Sequence, residues 1–248
     1  MDSGRRRARS LSLLLTISAG LAGLYWWSVD ARAPTNIVIV TLDTTRADRL
    51  SPYGYMDASM PALERLAHEG VIFDRAMSVA PVTLPAHSSL FTGLFPPRHG
   101  VRDNADRALA SKHTTLAETL RAHGFRTGAF VSSVVLASDR GLAQGFDRYV
   151  DVPTSDERGP RRLQRRGDEV MADAIRWVDE VRSAPFFLWA HLYDPHGPYA
   201  PPEPYRSRHF DPYVGEIAFA DAQIGRLLDH LQEYGLLERT IVIVAGDH

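Results

Sequence analysis

Cysteine is absent from the 248 residues, which excludes disulfides, thiolate metal sites and a cysteine nucleophile. A dominant charge is also absent. The formal net charge is −2, so no global basic field points to a nucleic-acid partner. No internal repeat and no low-complexity linker interrupts the chain. What remains is an ordinary globular composition, 44% hydrophobic and 23% charged, with enough length for one large domain and a sizeable core. The charge is unevenly spread. Arg5, Arg6, Arg7 and Arg9 cluster at the start, and a second arginine-rich run from Arg158 to Arg166 reads as a solvated segment.

The first 35 residues carry a targeting pattern. The basic stretch ends at Arg9, and an apolar run from Leu11 to Trp27 follows without charge until Asp30. That run is short for a spanning helix but within range. Trp26 and Trp27 suit the far interface, and the arginines predict that the N-terminus stays inside. Ala31-Arg32-Ala33 resembles a cleavage site, and Pro34 directly after it disfavours cleavage. A cleaved signal peptide and a signal anchor compete. The reading adopted is an anchor over residues 1–34 and an extracytoplasmic domain, periplasmic or at the cell surface, over 35–248.

Within that domain, Asn36–Leu42 (NIVIVTL) is a continuous β-branched run and reads as a buried strand. Pro185–Leu192 and Thr240–Ala245 read as further core strands. Thr127–Val131 is expected as a strand and Val71–Phe73 as a brief one. Helices are predicted over Met60–Gly70, Pro85–Thr92, Thr115–His123, Asp168–Val181 and Val214–Tyr234. Strands alternating with helices imply an α/β fold, a mostly parallel sheet sandwiched by helices. The sequence stops at Gly246-Asp247-His248, directly after a core strand. Such a strand end is where α/β sheets place their sites, so the domain is expected to be C-terminally truncated, with further strands and helices beyond.

Three core strands deliver acids or imidazoles at their C-terminal ends. The first delivers Asp43, the second His191, Asp194 and His196, and the third Asp247 and His248. In a parallel sheet these ends share one crevice, and carboxylates with imidazoles there are what a divalent cation needs. Singly, each has a simpler reading as a cap or a hydrogen-bonded structural residue. A fourth element is Pro81–Ser89. With Pro85 in the first turn of a helix, Thr83 lies just ahead of the helix N-terminus, where free N–H groups favour an anion. A hydroxyl so placed could attack a bound sulfuryl or phosphoryl group if a metal lowered its pKa. On local sequence alone a capping role is the better reading of Thr83.

Four motifs in order give the sequence a family resemblance. Leu42-Asp43-Thr44-Thr45-Arg46-Ala47-Asp48 resembles the first metal-binding motif of the sulfatase family of the alkaline phosphatase superfamily. Thr83-Leu84-Pro85-Ala86-His87, followed by Leu90-Phe91-Thr92-Gly93, resembles its nucleophile signature. His191 through Tyr199 (HLYDPHGPY) resembles its histidine-proline-tyrosine segment, and Gly246-Asp247-His248 its later metal motif. The departures are specific. Sulfatases carry a cysteine or serine, oxidised to formylglycine, where this chain has Thr83, and threonine is not a substrate for that conversion. The arginine ending the signature is His87 here, and the paired aspartates of the first motif are Asp43-Thr44. Threonine at this position is similar to the nucleophile of phosphodiesterases, phosphoethanolamine transferases and some phosphonate ester hydrolases of the superfamily.

The resemblance implies an alkaline-phosphatase-like fold and one divalent metal ion (Ca, Mn or Zn) held by Asp43, Asp247 and His248, with Thr83 completing the shell. It implies in-line attack by Thr83 with a covalent intermediate, and Asn104 donating to a non-bridging oxygen. His196 would stabilise charge or protonate the leaving group, with His191 a weaker candidate, and His87 could contact the same anion. Arg46 would support the fold or an aspartate. A second metal could draw on Asp194, His191 and His196, but their spacing does not copy a two-metal motif. The expected substrate is a small-molecule, glycan or lipid ester of sulfate or phosphate, with a membrane contact through the N-terminal segment and no nucleic acid. The competing functions are a phosphoethanolamine or phosphoglycerol headgroup transferase and a non-catalytic binding protein on the same scaffold.

Overall fold

A computed structural model describes residues 35–105, 107–152 and 164–248. The expected anchor, residues 1–34, and most of the arginine-rich run from Arg158 to Arg166 lie outside the described residues. Five strands form one sheet: β1 (Asn36–Leu42), β2 (Arg126–Val131), β3 (Arg148–Val150), β4 (Phe186–Leu192) and β5 (Thr240–Gly246). Their order is β3-β2-β4-β1-β5, and every pairing is parallel. Parallel neighbours need crossovers, and here these include the helices α1 (Pro61–Glu69), α2 (Thr83–Thr92), α3 (Leu116–Ala122), α4 (Gly167–Val181) and α5 (Pro212–Glu233).

The helices cover both faces. Val38, Val40 and Leu42 of β1 pack with α1, α4 and α5 in one apolar layer. Ile39 points the other way, toward Leu84 and Phe91 of α2 and Ala117 of α3. The central strand β4 is buried at all of its positions, which explains its unbroken apolar sequence. Helix α4 buries Val170, Met171, Ala174, Trp177 and Val178, a spacing that lines one helical face. Fully burying side chains of this kind is worth ~1.5–3 kcal/mol each. Gly128 of β2 lets the Trp177 ring lie against the sheet, since a Cβ there would meet the ring at 2.7 Å.

Local signals set several boundaries. Thr115 caps α3 by accepting from the Glu118 N–H, and Glu118 reaches back to the Thr115 N–H, a reciprocal capping box. Helix α1 has no such residue in its own sequence. Its cap comes from α5, where buried Asp221 accepts from the N–H groups of Ala62 and Leu63 at 3.2 and 2.8 Å.

Three expectations change. Val71–Phe73 forms no strand. Val71 and Phe73 are 78% and 70% exposed, so this apolar triplet has no sheet neighbour to pair with. β5 is not buried on both faces; Ile241 and Ile243 are exposed because β5 is the edge of the described sheet. Helix α2 begins at Thr83 rather than Pro85, since the residues before a first-turn proline can already be helical. Strand β3 was not anticipated; it is only Arg148–Val150 and half exposed. Among the described residues no helix is long and apolar enough to cross a membrane.

Candidate active site

The C-terminal ends of β1, β4 and β5 meet beside the start of α2. Asp43 follows β1 and is anchored by its N–H donating to Leu192 O at 2.9 Å; Asp247 follows β5, with its N–H donating to Leu42 O at 3.2 Å. Ladder hydrogen bonds therefore fix both aspartates. Ligand atoms of Asp43, Asp247 and His248 lie within 4.8 Å of one another. His248 Nε2 stands 3.9 Å from Asp43 Oδ1, 3.8 Å from Asp247 Oδ1 and 3.4 Å from Thr83 Oγ1. The four residues expected at the metal centre are thus together.

The electrostatics suit a cation. Both carboxylate oxygens of Asp43, and Oδ2 of Asp247, are buried without any hydrogen-bond partner. Buried, unpaired carboxylate oxygens are costly unless something positive meets them. Burial opposes ionisation of Asp43, but the neighbouring His191, His196 and His87 together outweigh it and hold the carboxyl below its ordinary value. Burial, reinforced by the charge of Asp43, pushes Asp247 upward. Two hard oxygens and an imidazole converging on orphaned positions fit a divalent ion such as Ca, Mn or Zn.

The loop after β1 carries strain that the sequence did not reveal. Thr44 has φ 49°, and among the described residues no other non-glycine has positive φ. A β-branched residue there costs of order 1–3 kcal/mol. The conformation is held on every side: Thr44 N–H donates to Asp247 Oδ1 at 3.0 Å, and its hydroxyl donates to Pro195 O at 3.0 Å. Tyr213 of α5 donates its hydroxyl to Thr44 O at 2.8 Å and accepts from the Arg46 N–H at 2.9 Å. This clamp ties the three strand ends into one rigid unit.

The other expected residues fall into two groups. Asn104 and His196 border the centre. Asn104 Oδ1 accepts from the Leu84 N–H at 2.8 Å, so it caps the start of α2 while its amide nitrogen is the donor end. His196 donates from Nδ1 to Gly197 O at 2.7 Å, stacks on Tyr193 with ring centroids 4.3 Å apart, and lowers the pKa of Asp43 by its proximity. His87 and His191 instead lie beneath the centre, with no exposed side-chain surface. His87 contacts Thr83 O at 2.8 Å and Thr41 Oγ1 at 3.0 Å, so both ring nitrogens are engaged with the protein rather than turned to an anion. His191 stands behind Asp43, with Nε2 3.4 Å from Oδ2. It is placed to support that carboxylate, not to protonate a leaving group.

Asp194 is also away from the cluster. Its Oδ1 accepts from the Gly167 N–H at 3.0 Å, at the start of α4, and burial raises it to about 6. Arg46 pairs with Asp48 at 2.6 Å on the surface. Sequence reasoning missed Thr41, Thr44 and Tyr213. Thr41 and Thr44 flank Asp43 closely enough to have been candidates, but nothing in the local sequence marks Tyr213.

The family model described as Sulfatase matches residues 35–248. Human arylsulfatase A is 25% identical over 96% of this chain and 55% of its own length. The ulvan-active sulfatase of Formosa agariphila is 28% identical over 88% of this chain and 51% of its own. The chain therefore spans about half the length of these curated relatives. Among solved structures, the phosphonate monoester hydrolase of Agrobacterium radiobacter superposes with a TM-score of 0.73 at 20% identity, covering 87% of this chain and 62% of that one. An alkaline phosphatase superfamily protein from Vibrio parahaemolyticus gives 0.70 at 20%, covering 87% and 55%. With a family match over residues 35–248, and a fold that these structures share, the chain belongs to the sulfatase family.

Proposed function

We propose that this chain carries the nucleophile and metal centre of an ester hydrolase acting on sulfate esters. The observation that carries the reading is the cluster of Asp43, Asp247 and His248 around three partnerless carboxylate oxygens, with the Thr83 hydroxyl 3.4 Å from His248 Nε2. Asp43, Asp247, His248 and Thr83 would hold one divalent ion. Bound there, the ion would lower the pKa of the Thr83 hydroxyl and polarise a substrate oxygen.

The chain's own residues supply the rest. Thr83 sits at the start of α2, so the helix's positive end faces a bound sulfate. With its proton already released to solvent, the Thr83 Oγ forms a bond to sulfur as the ester S–O bond breaks, and the leaving alcohol takes a proton from His196 Nε2. Water then gives a proton back to His196 as its oxygen attacks sulfur, and the Oγ–S bond breaks to release sulfate and the ionised Thr83. Asn104 steadies a non-bridging oxygen through its amide nitrogen. The relatives' names, arylsulfatase A and ulvan-active sulfatase, support a sulfated small molecule or glycan as substrate. The basic and then apolar N-terminal sequence supports an anchored, extracytoplasmic enzyme.

The test uses the full-length protein loaded with Mn²⁺, Zn²⁺ or Ca²⁺. Aryl sulfate hydrolysis should fall by roughly four orders of magnitude or more in Thr83→Ala, and acid-quenched wild type should carry a sulfated Thr83 peptide by mass spectrometry. Preference for an aryl phosphate or a phosphodiester would keep the nucleophile and change the substrate class. Turnover indifferent to Thr83 would refute the mechanism.

A further inference from the structure

The loop after β4 carries His196 and is tied down at three points. Asp194 Oδ1 accepts from the Gly167 N–H of α4 at 3.0 Å, and Glu216 of α5 accepts from the Ala200 N–H at 2.8 Å. The third tie is the Thr44 hydroxyl, which donates to Pro195 O at 3.0 Å. Of the three, only Thr44 reaches the loop from the strand ends that carry the aspartates. The Pro195 carbonyl belongs to the peptide unit that enters His196. The other end of that unit, the His196 N–H, donates to Tyr193 O at 2.9 Å. Both polar groups of the peptide are therefore held, and they fix the direction in which the His196 side chain leaves the backbone. A carbonyl only accepts, so the sense of the Thr44 bond has no alternative.

Thr44 is gripped in turn. Its N–H donates to Asp247 Oδ1 at 3.0 Å, and its carbonyl accepts from the Tyr213 hydroxyl at 2.8 Å. The Tyr213 ring also lies against Tyr199 of the His196 loop, with centroids 5.2 Å apart. One residue thus joins Asp247 to the peptide ahead of His196. It does so at φ 49°, where a β-branched side chain is at a disadvantage. Glycine or asparagine would take this backbone more easily, but neither would place a hydroxyl beside Pro195 O. The strain accompanies the hydroxyl, and a strained residue held from several sides is a pointer to function.

We propose that Thr44 is a positioning residue for departure of the alcohol: its hydroxyl holds His196 at a fixed place relative to the metal ligands. The proton donor then meets the departing oxygen while the centre holds the sulfate. Thr44 makes no bond to substrate and acts through His196. The proposal rests on the sulfate-ester reading above.

The experiment compares kcat/KM of metal-loaded full-length protein on para-nitrophenyl sulfate and on phenyl sulfate, whose phenolate leaves less readily. This parameter reports the step in which the ester S–O bond breaks, so a misplaced proton donor shows as a loss that grows as the leaving group worsens. Thr44→Val should cost about thirtyfold on phenyl sulfate and about threefold on para-nitrophenyl sulfate. Thr44→Ser should bring both back to within about threefold of wild type. In a His196→Ala background, Thr44→Val should cost no more than about twofold on either ester. Thr44→Gly drops the same hydroxyl and suits the positive φ, so it should give the Thr44→Val pattern even if that variant fails to fold. Apart from activity, amide hydrogen exchange over residues 193–200 should quicken about tenfold without the hydroxyl, with residues 115–131 unchanged. Equal losses on the two esters, additivity with His196→Ala, or unchanged exchange over 193–200 would overturn the proposal. A wild type that hydrolyses neither ester would sink the sulfate-ester reading, and the exchange result would then decide whether Thr44 locks the loop.

Discussion

Metal loading should stabilise this protein by an amount that can be worked out from the site. Asp43 and Asp247 place acceptor atoms within 4.8 Å of each other in a buried position. Two unit charges at that separation repel by ~3.5 kcal/mol at an effective dielectric of about 20. Some of this is relieved without metal, because burial and the charge of Asp43 raise the pKa of Asp247 and His191 lies against Asp43. A cation at 100 times its dissociation constant should add about 2.7 kcal/mol to the unfolding free energy. For a domain of 150–250 residues that corresponds to roughly 5–11 °C in melting temperature. The assay is a pair of thermal melts of the full-length protein, one with chelator and one with Mn²⁺, Zn²⁺ or Ca²⁺. Asp43→Asn removes one of the two charges, so its metal-free melting temperature should be no lower than that of the wild type. Its metal-dependent rise should nearly vanish. Equal metal-dependent rises in wild type and Asp43→Asn, or none in the wild type, would refute the assignment of the centre.

Two further predictions concern the scaffold. Asp221→Ala strips the cap from α1, leaving the N–H groups of Ala62 and Leu63 without their acceptor; a loss of about 1–3 kcal/mol in urea unfolding is expected, and an unchanged midpoint would contradict it. Glu216 accepts from the Ala200 N–H at 2.8 Å, and burial raises it from 4.5 to about 7. The fold thus favours its protonated form, and this contribution is complete below 4.5 and lost as pH rises through about 7. Glu216→Gln copies the protonated state, so its melting curve should match wild type in acid and exceed it above neutrality. Parallel curves across the whole range would exclude the effect.

Much of this molecule was legible from sequence because its signals are local. Asn36–Leu42 and the apolar run ending at Leu192 announced buried parallel strands, and a parallel sheet by its geometry gathers strand ends at one edge. The same geometry brings Asp43, Asp247 and His248 together. Local signals overreached where an apolar triplet found no partner, as at Val71–Phe73, and where a β-branched strand proved to be an edge, as in β5.

The roles inside the site were decided by tertiary structure alone. His87, His191 and His196 are equivalent as letters, and each sits beside a motif. Packing separates them: the first two are sealed beneath the centre by Trp189 and the sheet, and the third borders it. The cap on α1 arrives from Asp221 in a distant helix, and the strained backbone of Thr44 is held by Tyr213 of that same helix. A sequence determines which groups a strand will deliver to its end, because periodicity and burial act over a few residues. Which lone pair faces which proton depends on atoms brought together from distant parts of the chain, and only the fold sets those distances.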